Sequence, residues 1–239
     1  MNRFQFDVGD YFLPINRLFM VCLLIIAVLT PYPCEANDED AIYQGLLERI
    51  ARQLEVSTTV ADRFLERVDK MAIIIQNNFE EMASHTTSNS RKQELAKYTI
   101  SEFFASPDAM IQVSSLRKGA KTIRKRIEDY FNHLQNLSRT RYRTVEIYFD
   151  KNYFSLGDIE PFYENDKKSF DFSVTMWQIF IGCRDVGSDC YKDATKKSFH
   201  MVFRYEKNVN QWKFRVKAIT VEDTVSFEEF DQTRRRWIR

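Results

Sequence analysis

Four long segments in the second half of the chain alternate apolar with polar residues, and this alternation most constrains the fold. The segments are RYRTVEIYFD, SFDFSVTMWQIFIG, ATKKSFHMVFRYE and NQWKFRVKAITV, and each is rich in β-branched and aromatic residues. Period-two alternation predicts strands that bury one face of an antiparallel sheet and leave the other face wet. The inward-facing sets are then Val145, Ile147 and Phe149; Phe170, Phe172, Val174 and Met176; Phe199, Met201, Phe203 and Tyr205; Trp212, Phe214, Val216 and Ala218.

The first half of the chain has helical periodicity instead. Apolar residues recur at helical spacing over 41–55, from Val60 to Met82, over about 91–105 and over 121–137. A hydroxyl from the Ser57-Thr58-Thr59 run can cap the second of these helices by accepting an orphan backbone amide. One short strand, AMIQVSS, is expected between the third and fourth helices. Helices segregated from antiparallel strands predict an α+β fold.

An uncharged apolar run near the amino terminus indicates export. Leu18–Leu29 follows Arg17 and precedes TPYPCEA, which ends at Ala36. A positive flank, a short apolar stretch and small residues are typical of a secretory signal, here residues 1–36. The run is shorter than the roughly 20 residues of a spanning helix, but the long lead before it leaves a retained membrane anchor over 18–29 open, as well as a buried helix. We expect a periplasmic or secreted protein, with membrane contact only if the segment is retained.

Two of the four cysteines flank a turn between predicted strands. Cys183 and Cys190 enclose RDVGSD, and the mouth of a hairpin can hold two Cα atoms at the roughly 4.4–6.8 Å that a disulfide needs. An oxidising compartment would favour the bond. Two reduced thiols are the alternative. Because no other cysteine or histidine lies nearby at ligand spacing, a metal site is disfavoured.

The order of elements resembles the nuclear-transport-factor-2-like (cystatin-roll, polyketide-cyclase-like) superfamily. The resemblance rests on FFASPDAMIQVSS, then GAKTIRKRIEDYFNHL, then the Phe-rich strands, and it covers about residues 60–221. It implies a cone in which N-terminal helices are followed by a curved antiparallel sheet wrapped on a helix. We therefore expect a helical arm at 37–57, the cone-like domain at 58–225 and a C-terminal tail at 226–239.

Catalysis is disfavoured by the predicted interior, although the question of an enzyme stays open. Enzymes that this chain resembles place Asp, His or Tyr inside the cone, where an apolar wall shifts the pKa of an acid or base. Here the inward sets contain almost no ionisable group, and Tyr98, Tyr130 and Tyr205 are the candidate polar residues lining the cone. No catalytic, cofactor-binding or metal-binding motif is present in the sequence.

The outer face of the sheet is the candidate interface. Tyr148, Trp177, Val202 and Ile219 would lie there among charged residues, and aromatic enrichment is typical of protein interfaces. An ordinary mixed surface is the alternative. The formal net charge of +1 gives no basic excess, so no nucleic acid is expected as a partner.

The sequence thus predicts an exported, non-catalytic binding or interaction module. Its partner would be a protein, a second copy of the chain in a homodimer, or a small apolar ligand inside the cone. The alternatives are a small-molecule isomerase or hydrolase of the same fold, and a membrane-tethered structural subunit.

Overall fold

A computed structural model describes residues 36–164, 167–185 and 190–237, apart from the side chains of 36–39, 140, 151–154 and 235–237. The chain divides into two units, Met1–Tyr43 and Gln44–Arg239. Of the first unit only 36–43 are described, and they are helical. The apolar run Leu18–Leu29, on which the expected signal or anchor rests, lies outside the described residues. Within the described ranges, no helix is both long enough and apolar enough to cross a membrane.

Five helices are described, and serine side chains cap two of them, one from the predicted capping run and one that was not predicted. They are α1 (Ala36–Leu54), α2 (Thr58–Ala83), α3 (Asn89–Phe103), α4 (Ile127–Thr140) and α5 (Phe227–Trp237). Ser57 caps α2 by accepting a hydrogen bond from the Val60 amide at 3.4 Å. Ser88 caps α3 in the same way through the Arg91 amide at 3.3 Å.

The described strands form one curved, unclosed sheet. They are β1 (Met110–Val113), β2 (Ile123–Arg126), β3 (Thr144–Leu156), β4 (Glu160–Glu164), β5 (Lys167–Cys183), β6 (Tyr191–Glu206) and β7 (Gln211–Ser226). The spatial order is β2-β1-β7-β6-β5-β3, and β4 pairs with the free part of β5. All pairs are antiparallel except β1 with β7. The predicted α+β class, with helices before a curved sheet, is confirmed.

One helix begins later than its periodicity suggests. Residues 121–137 were expected to be helical, but Ile123–Arg126 pair with Met110–Val113 as strand β2, and α4 begins at Ile127. A turn with Gly119 in the left-handed region, at φ 66°, brings the two strands together. The apolar spacing in this segment fits either structure, so periodicity alone could not decide between them.

Two β-bulges in β7 shift the face of its residues. The pairing changes register between His200/Met201 and between Lys196/Lys197, with the extra residue on β7 each time. Ile219 consequently pairs with Phe199 and faces inward, where it is buried. The placement of Ile219 on the outer face was wrong, because a bulge reverses the alternation beyond it. Ala218, expected inside, is half-buried.

The core lies between the inner face of the sheet and helices α2, α3 and α4. Helix α2 presents Phe64 and Phe79 to this face, and α4 presents Tyr130 and Phe131. Burial of large aromatic rings contributes roughly 1.5–3 kcal/mol each. The interior of the cone is therefore the main source of stability in Gln44–Arg239.

Both ends of the expected cone-like domain extend further than the sequence indicated. Within the unit Gln44–Arg239, Leu47, Ile50 and Leu54 of α1 are buried, and Arg49 donates a hydrogen bond to the Leu156 carbonyl at 2.8 Å. This part of the expected arm therefore packs on the domain. At the other end, the expected tail is helix α5, whose Phe230 is buried.

Candidate functional site

The interior of the cone has two chemically different ends. At the end near the β6–β7 hairpin, rings from α2, β5, β6 and β7 pack directly on one another, with centroids 4.5–6.0 Å apart. We call this set the aromatic end: Phe64, Phe170, Phe172, Phe203 and Phe214. Edge-to-face and stacked rings at these distances fill space and add dispersion energy. The aromatic end is a packed core.

At the opposite end the same inner face becomes polar. Strand pairing continues the alternation of β5 and β6 toward the disulfide, matching Met176 with Lys197, Gln178 with Thr195 and Phe180 with Asp193. Partners directly opposite one another point to the same face. We call this set the polar end, and every member is buried: Tyr130, Gln178, Asp193, Thr195, Lys197 and Thr224. The expectation that the interior holds almost no ionisable group was wrong.

Lys197 is the central residue of the polar end. Its residue surface is only 4% exposed, and its ammonium lies 5.9 Å from the centre of the Tyr130 ring. Within the described residues it makes no ion pair and no hydrogen bond. Burial lowers the pKa of Lys197 to about 8, and the attraction of Asp193 offsets only part of this effect. A buried ammonium without a partner is costly, and such groups concentrate at functional sites.

Tyr130 reaches the polar end from helix α4. Burial raises the pKa of its hydroxyl, and a hydrogen bond with Gln178 of β5 acts in the opposite direction. The ring packs between Phe79 and Phe131, at centroid distances of 5.6 and 5.9 Å. Tyr130 was predicted to line the cone, and the structure places it there with its hydroxyl neutral at physiological pH.

Asp193 is the carboxylate of the polar end, and it already has partners. The Tyr191 hydroxyl donates a hydrogen bond to it, as does the Leu116 backbone amide. Burial nevertheless raises the pKa of Asp193. Tyr191 also lies 2.8 Å from the Ser115 hydroxyl. These contacts connect β6 to the turn Ser115–Ala120, which covers this end of the interior.

Thr224 supplies an unused hydroxyl. It pairs with Thr195 across β6 and β7, so it faces the interior. Its residue surface is 9% exposed, and its oxygen has no hydrogen-bond partner in the described part of the chain. A buried polar atom without a partner costs about 1–3 kcal/mol. Thr224 thus gives the polar end a buried hydroxyl without a partner, on the same face as the buried Lys197 ammonium.

Basic side chains surround the outside of the polar end. Arg117, in the covering turn, lies over the rings of Tyr191 and Tyr142, at 4.4 and 5.3 Å from their centres. Burial raises the pKa of Tyr142, and the positive charge of nearby arginines opposes this shift. Burial lowers the pKa of His133, and the positive charge of nearby lysines and an arginine adds to this shift. We call the contributing residues the basic rim: Arg117, Lys118, Lys125, Arg141 and Arg184. The rim creates a positive field at the covered end of the interior.

The predicted disulfide lies beside the polar end. Cys183 and Cys190 are bonded, with Cα atoms 4.3 Å apart. Cys183 ends β5 one residue after Gly182, where any side chain would overlap the Tyr142 ring, which lies 2.7 Å from the Cβ position. Cys190 precedes Tyr191. The disulfide therefore fixes the two strands at the place where Tyr142 and Tyr191 close the interior.

The other two candidate tyrosines lie elsewhere. Tyr98 on α3 is 50% exposed, so it does not line the interior. Tyr205 faces inward but is half-buried beside Trp212, with their ring centres 6.1 Å apart. Eight residues of β6 separate Tyr205 from Lys197, or roughly 26 Å at about 3.3 Å per residue. Tyr130 alone of the three belongs to the polar end.

The candidate interface on the outer face is largely covered by the chain itself. Tyr148 and Trp177 are half-buried against a cluster that includes Ile179 and Phe230, and the Trp177 and Phe230 ring centres are 5.2 Å apart. Helix α5 thus packs on the outer surface of the sheet. Val202 also faces outward, but it is buried. The outer face therefore exposes fewer side chains to a partner than the alternation suggests.

An open groove of 740 Å³ lies away from the polar end. Its walls include Ile100 of α3, the outward-facing Ser169, and Arg215. Two hydrogen bonds of 2.6 Å join Arg215 to Glu206, and further bonds join it to the Ser101 and Glu102 carbonyls. These contacts satisfy the arginine, and they lower the pKa of Glu206. Among the described residues that line the groove, no buried side-chain atom lacks a hydrogen-bond partner, unlike the Thr224 hydroxyl at the polar end.

Sequence reasoning missed the polar end because the inward sets stopped too early. Counting back from Phe199 in steps of two reaches Lys197, Thr195 and Asp193, all on one face. The signal was present in the segment DATKKSF. A second signal was the run RKGAKTIRKR, residues 117–126, which supplies part of the basic rim. Within the described residues no group of three or more His, Cys, Asp or Glu could hold a metal.

Comparisons with known proteins give fold likeness only. No family model and no curated protein matches the chain. A solved putative scytalone dehydratase from Novosphingobium aromaticivorans is similar at 12% identity and TM-score 0.39, covering 72% of this chain and 92% of its own. A nuclear transport factor 2 (NTF2-like) superfamily protein from Salmonella enterica is similar at 9% identity and TM-score 0.39, covering 68% and 92%.

Proposed function

We propose that this protein binds a small ligand inside its cone, at the polar end. The observation that carries the proposal is Lys197, a buried lysine without an ion-pair partner in the described residues, on the same face as the unpartnered Thr224 hydroxyl. Such groups cost stability, and ionisable groups with pKa values shifted by burial cluster at functional sites. The aromatic end supplies the stability that this arrangement requires.

The decisive experiment compares Lys197→Met with the matched control Lys196→Met. Lys196 is the next residue on the outer face, half-buried and ion-paired with Glu222 at 2.9 Å. We expect Lys197→Met to keep or raise the free energy of unfolding, by up to about 4 kcal/mol, because a buried charge is replaced by an apolar chain of similar length. We expect Lys196→Met to change it by less than about 1 kcal/mol.

Native mass spectrometry of the same three proteins tests binding. We expect wild-type protein and Lys196→Met to carry a co-purifying small molecule that Lys197→Met lacks. A wild-type protein without any adduct, together with a Lys197→Met variant that is less stable than wild type, would show that Lys197 is a structural residue and would refute the proposal.

A second candidate function is proton transfer to or from a carbonyl compound. The observation that favours it is the position of the Lys197 ammonium, with a pKa of about 8, 5.9 Å from the centre of the ring of Tyr130, whose hydroxyl is neutral. A group whose pKa lies near the operating pH is suited to general acid–base catalysis. Exchange of deuterium from solvent into acetophenone, followed by NMR, tests this: wild-type protein should accelerate it and Lys197→Met should not. No acceleration by wild type leaves the binding function alone.

We also infer that the protein is exported. The Cys183–Cys190 disulfide supports this, because such bonds persist in oxidising compartments. Fractionation of host cells followed by intact-mass analysis tests it. Material outside the cytoplasm lacking two hydrogens is expected, whereas reduced protein confined to the cytoplasm would refute export.

A further inference from the structure

We propose that the ligand carries a carboxylate or a similar compact anion, which Lys197 and Thr224 bind at the polar end. This inference rests on the proposed function and assigns the chemical class of the ligand. It follows from which hydrogen-bonding groups at the polar end are already used, which are free, and what charge surrounds them.

The acceptor of the polar end is committed to the protein itself. Asp193 accepts hydrogen bonds from Tyr191 and from the Leu116 amide. The Gln178 side chain is engaged with the Tyr130 hydroxyl. A ligand that needed a carboxylate partner would therefore have to displace existing bonds. The interior is poorly suited to a cationic ligand.

The uncommitted groups can both donate. The Lys197 ammonium has three N–H donors and no acceptor, and the Thr224 hydroxyl has one O–H donor. Lys197 pairs with Val221 and Thr195 pairs with Thr224, so the two groups lie on neighbouring inward positions of adjacent strands. Diagonal neighbours of this kind are about 7–8 Å apart at their backbones. A compact anion such as a carboxylate can bridge side chains at that separation.

Most of the charged groups at the polar end are positive, as an anion requires. Lys197 and the Asp193 carboxylate are inside, and Arg117, Lys118, Lys125, Arg141 and Arg184 form the rim outside. The formal net charge of the whole chain is only +1, so this is a local concentration rather than a property of the chain. A positive field at the covered end favours approach of an anion and disfavours a cation.

The inward side chains beside Lys197 are apolar, so they would contact an apolar body attached to the anion. Met176 is opposite Lys197 on β5, and Phe199 is the next inward residue on β6. Phe149 lies against Phe199, and Phe79 against Phe149, with ring centres 5.6 and 6.5 Å apart. A ligand with its anion at Lys197 would therefore place a planar or aliphatic group against aromatic walls, which is favourable for burial.

The test uses benzoate and benzamide as probes, because they share a shape and differ in charge. We expect benzoate to bind the full chain at least about tenfold more tightly than benzamide, since a charge-assisted hydrogen bond is roughly twice as strong as a neutral one. Lys197→Met should abolish this ratio, and Thr224→Val should reduce it by a smaller factor. Lys196→Met should leave it unchanged. Calorimetry or ligand-detected NMR supplies the affinities.

The outcomes separate the two proposals. If benzamide binds as tightly as benzoate and both are lost with Thr224→Val, the polar end binds ligands but the anion class is wrong. If neither probe binds and no adduct is found on wild-type protein, both proposals fail. If the preference for benzoate survives in Lys197→Met, the anion is held elsewhere and the assignment of Lys197 is wrong.

The basic rim gives an independent measurement. Replacing Lys118 and Arg141 together by Gln removes two exposed positive charges without changing the polar end. We expect slower benzoate association at low salt and a weaker dependence of its rate on salt, with a smaller effect on dissociation. An association rate equal to wild type would show that the rim does not steer the ligand.

Discussion

The aromatic end and the polar end of the interior use the same strands in opposite ways. On the inner face of β5 and β6, Phe170 is paired with Phe203 at one end and Phe180 with Asp193 at the other. The aromatic end packs rings on rings, and each residue there stabilises the fold. At the polar end the Lys197 ammonium is buried, and the buried Thr224 hydroxyl has no hydrogen-bond partner among the described residues, so both groups cost stability.

The difference shows how one sheet can carry both a core and a site. Alternation along a strand fixes which face a residue occupies, but it leaves open whether the residue is apolar. The sheet continues past the packed rings of the aromatic end, and the turn Ser115–Ala120, the disulfide and the rings of Tyr142 and Tyr191 close this continuation. Mutations should therefore lower the free energy of unfolding at the aromatic end and keep or raise it at the polar end, and the following predictions test this difference.

Truncation at the aromatic end should have the largest effect. Phe203 contacts Phe64 and Phe214 at centroid distances of 5.5 and 4.5 Å. Phe203→Ala should reduce the free energy of unfolding by about 3–5 kcal/mol, because it leaves a cavity among rings that cannot collapse. Urea denaturation measures this. Tyr163→Ala, at a residue 75% exposed, is the control and should change it by less than about 0.5 kcal/mol. Equal effects would mean that the aromatic end is not the core.

The pH dependence of stability should report the buried lysine. The pKa of Lys197 is about 8 when folded and 10.5 ordinarily, so the folded chain binds fewer protons between these values. The free energy of unfolding should therefore rise by about 2–3 kcal/mol between pH 8 and pH 10. This gain should be lost as the pH is lowered from 10 to 8, where Lys197 becomes charged in the folded chain. Asp193, Tyr130 and Tyr191 face this end as well, and the pKa of Tyr191 is raised to about 12, which opposes the rise above pH 10.

The control for the pH series is Lys197→Met. Urea unfolding at pH 7, 8, 9 and 10, with free thiols blocked, should give a rising free energy for wild type and a flat one for the variant. A rise that persists without Lys197 would assign it to another group. A wild-type protein with no rise would mean that water or a partner keeps the pKa of Lys197 near its ordinary value.

The disulfide should matter less than either end of the interior. Cys183 and Cys190 are seven residues apart, so the bond closes a short loop. Cys183→Ser with Cys190→Ser should reduce stability by about 2 kcal/mol, chiefly by freeing the unfolded chain. The fold should remain. Because the bond lies next to Tyr191 and Gly182, the double variant should also exchange the Tyr191 amide with solvent faster, measured by hydrogen exchange. An unchanged exchange rate would separate the disulfide from closure of the polar end.

Most of the fold followed from the alternation and from helical spacing. Residue types at given spacings predicted the four long strands, the helix cap at Ser57 and the Cys183–Cys190 pairing. Strand β2 did not, because Ile123 and Ile127 suit a helix as well as a strand. Only the pairing of Met110–Val113 with Ile123–Arg126 decides between them, and such pairing is a long-range contact that no local pattern encodes.

The site was less predictable than the fold, for a physical reason. Interior positions were identified by hydrophobicity, so a buried lysine was excluded by the same criterion that found the core. Lys197 could have been placed by extending the alternation from Phe199, and steps of two from Val216 also reach Thr224, because the two bulges cancel beyond the second one. The residues between the bulges, Ile219 among them, could not be placed in this way. The two bulges in β7 change its face twice, and a bulge depends on pairing with β6.

The bulge between His200 and Met201 yields the smallest and most specific prediction. It brings Ile219 into the interior opposite Phe199, where its residue surface is 1% exposed. Without the bulge, Ile219 would lie on the outer face. Ile219→Val should therefore reduce the free energy of unfolding by about 0.5–1.5 kcal/mol, through loss of one buried methyl group. Ile74→Val, at a helix position 40% exposed, is the matched control and should change it by less than about 0.5 kcal/mol. Urea unfolding measures both changes. Equal effects would show that Ile219 lies on the outer face and not in the interior between the aromatic and polar ends.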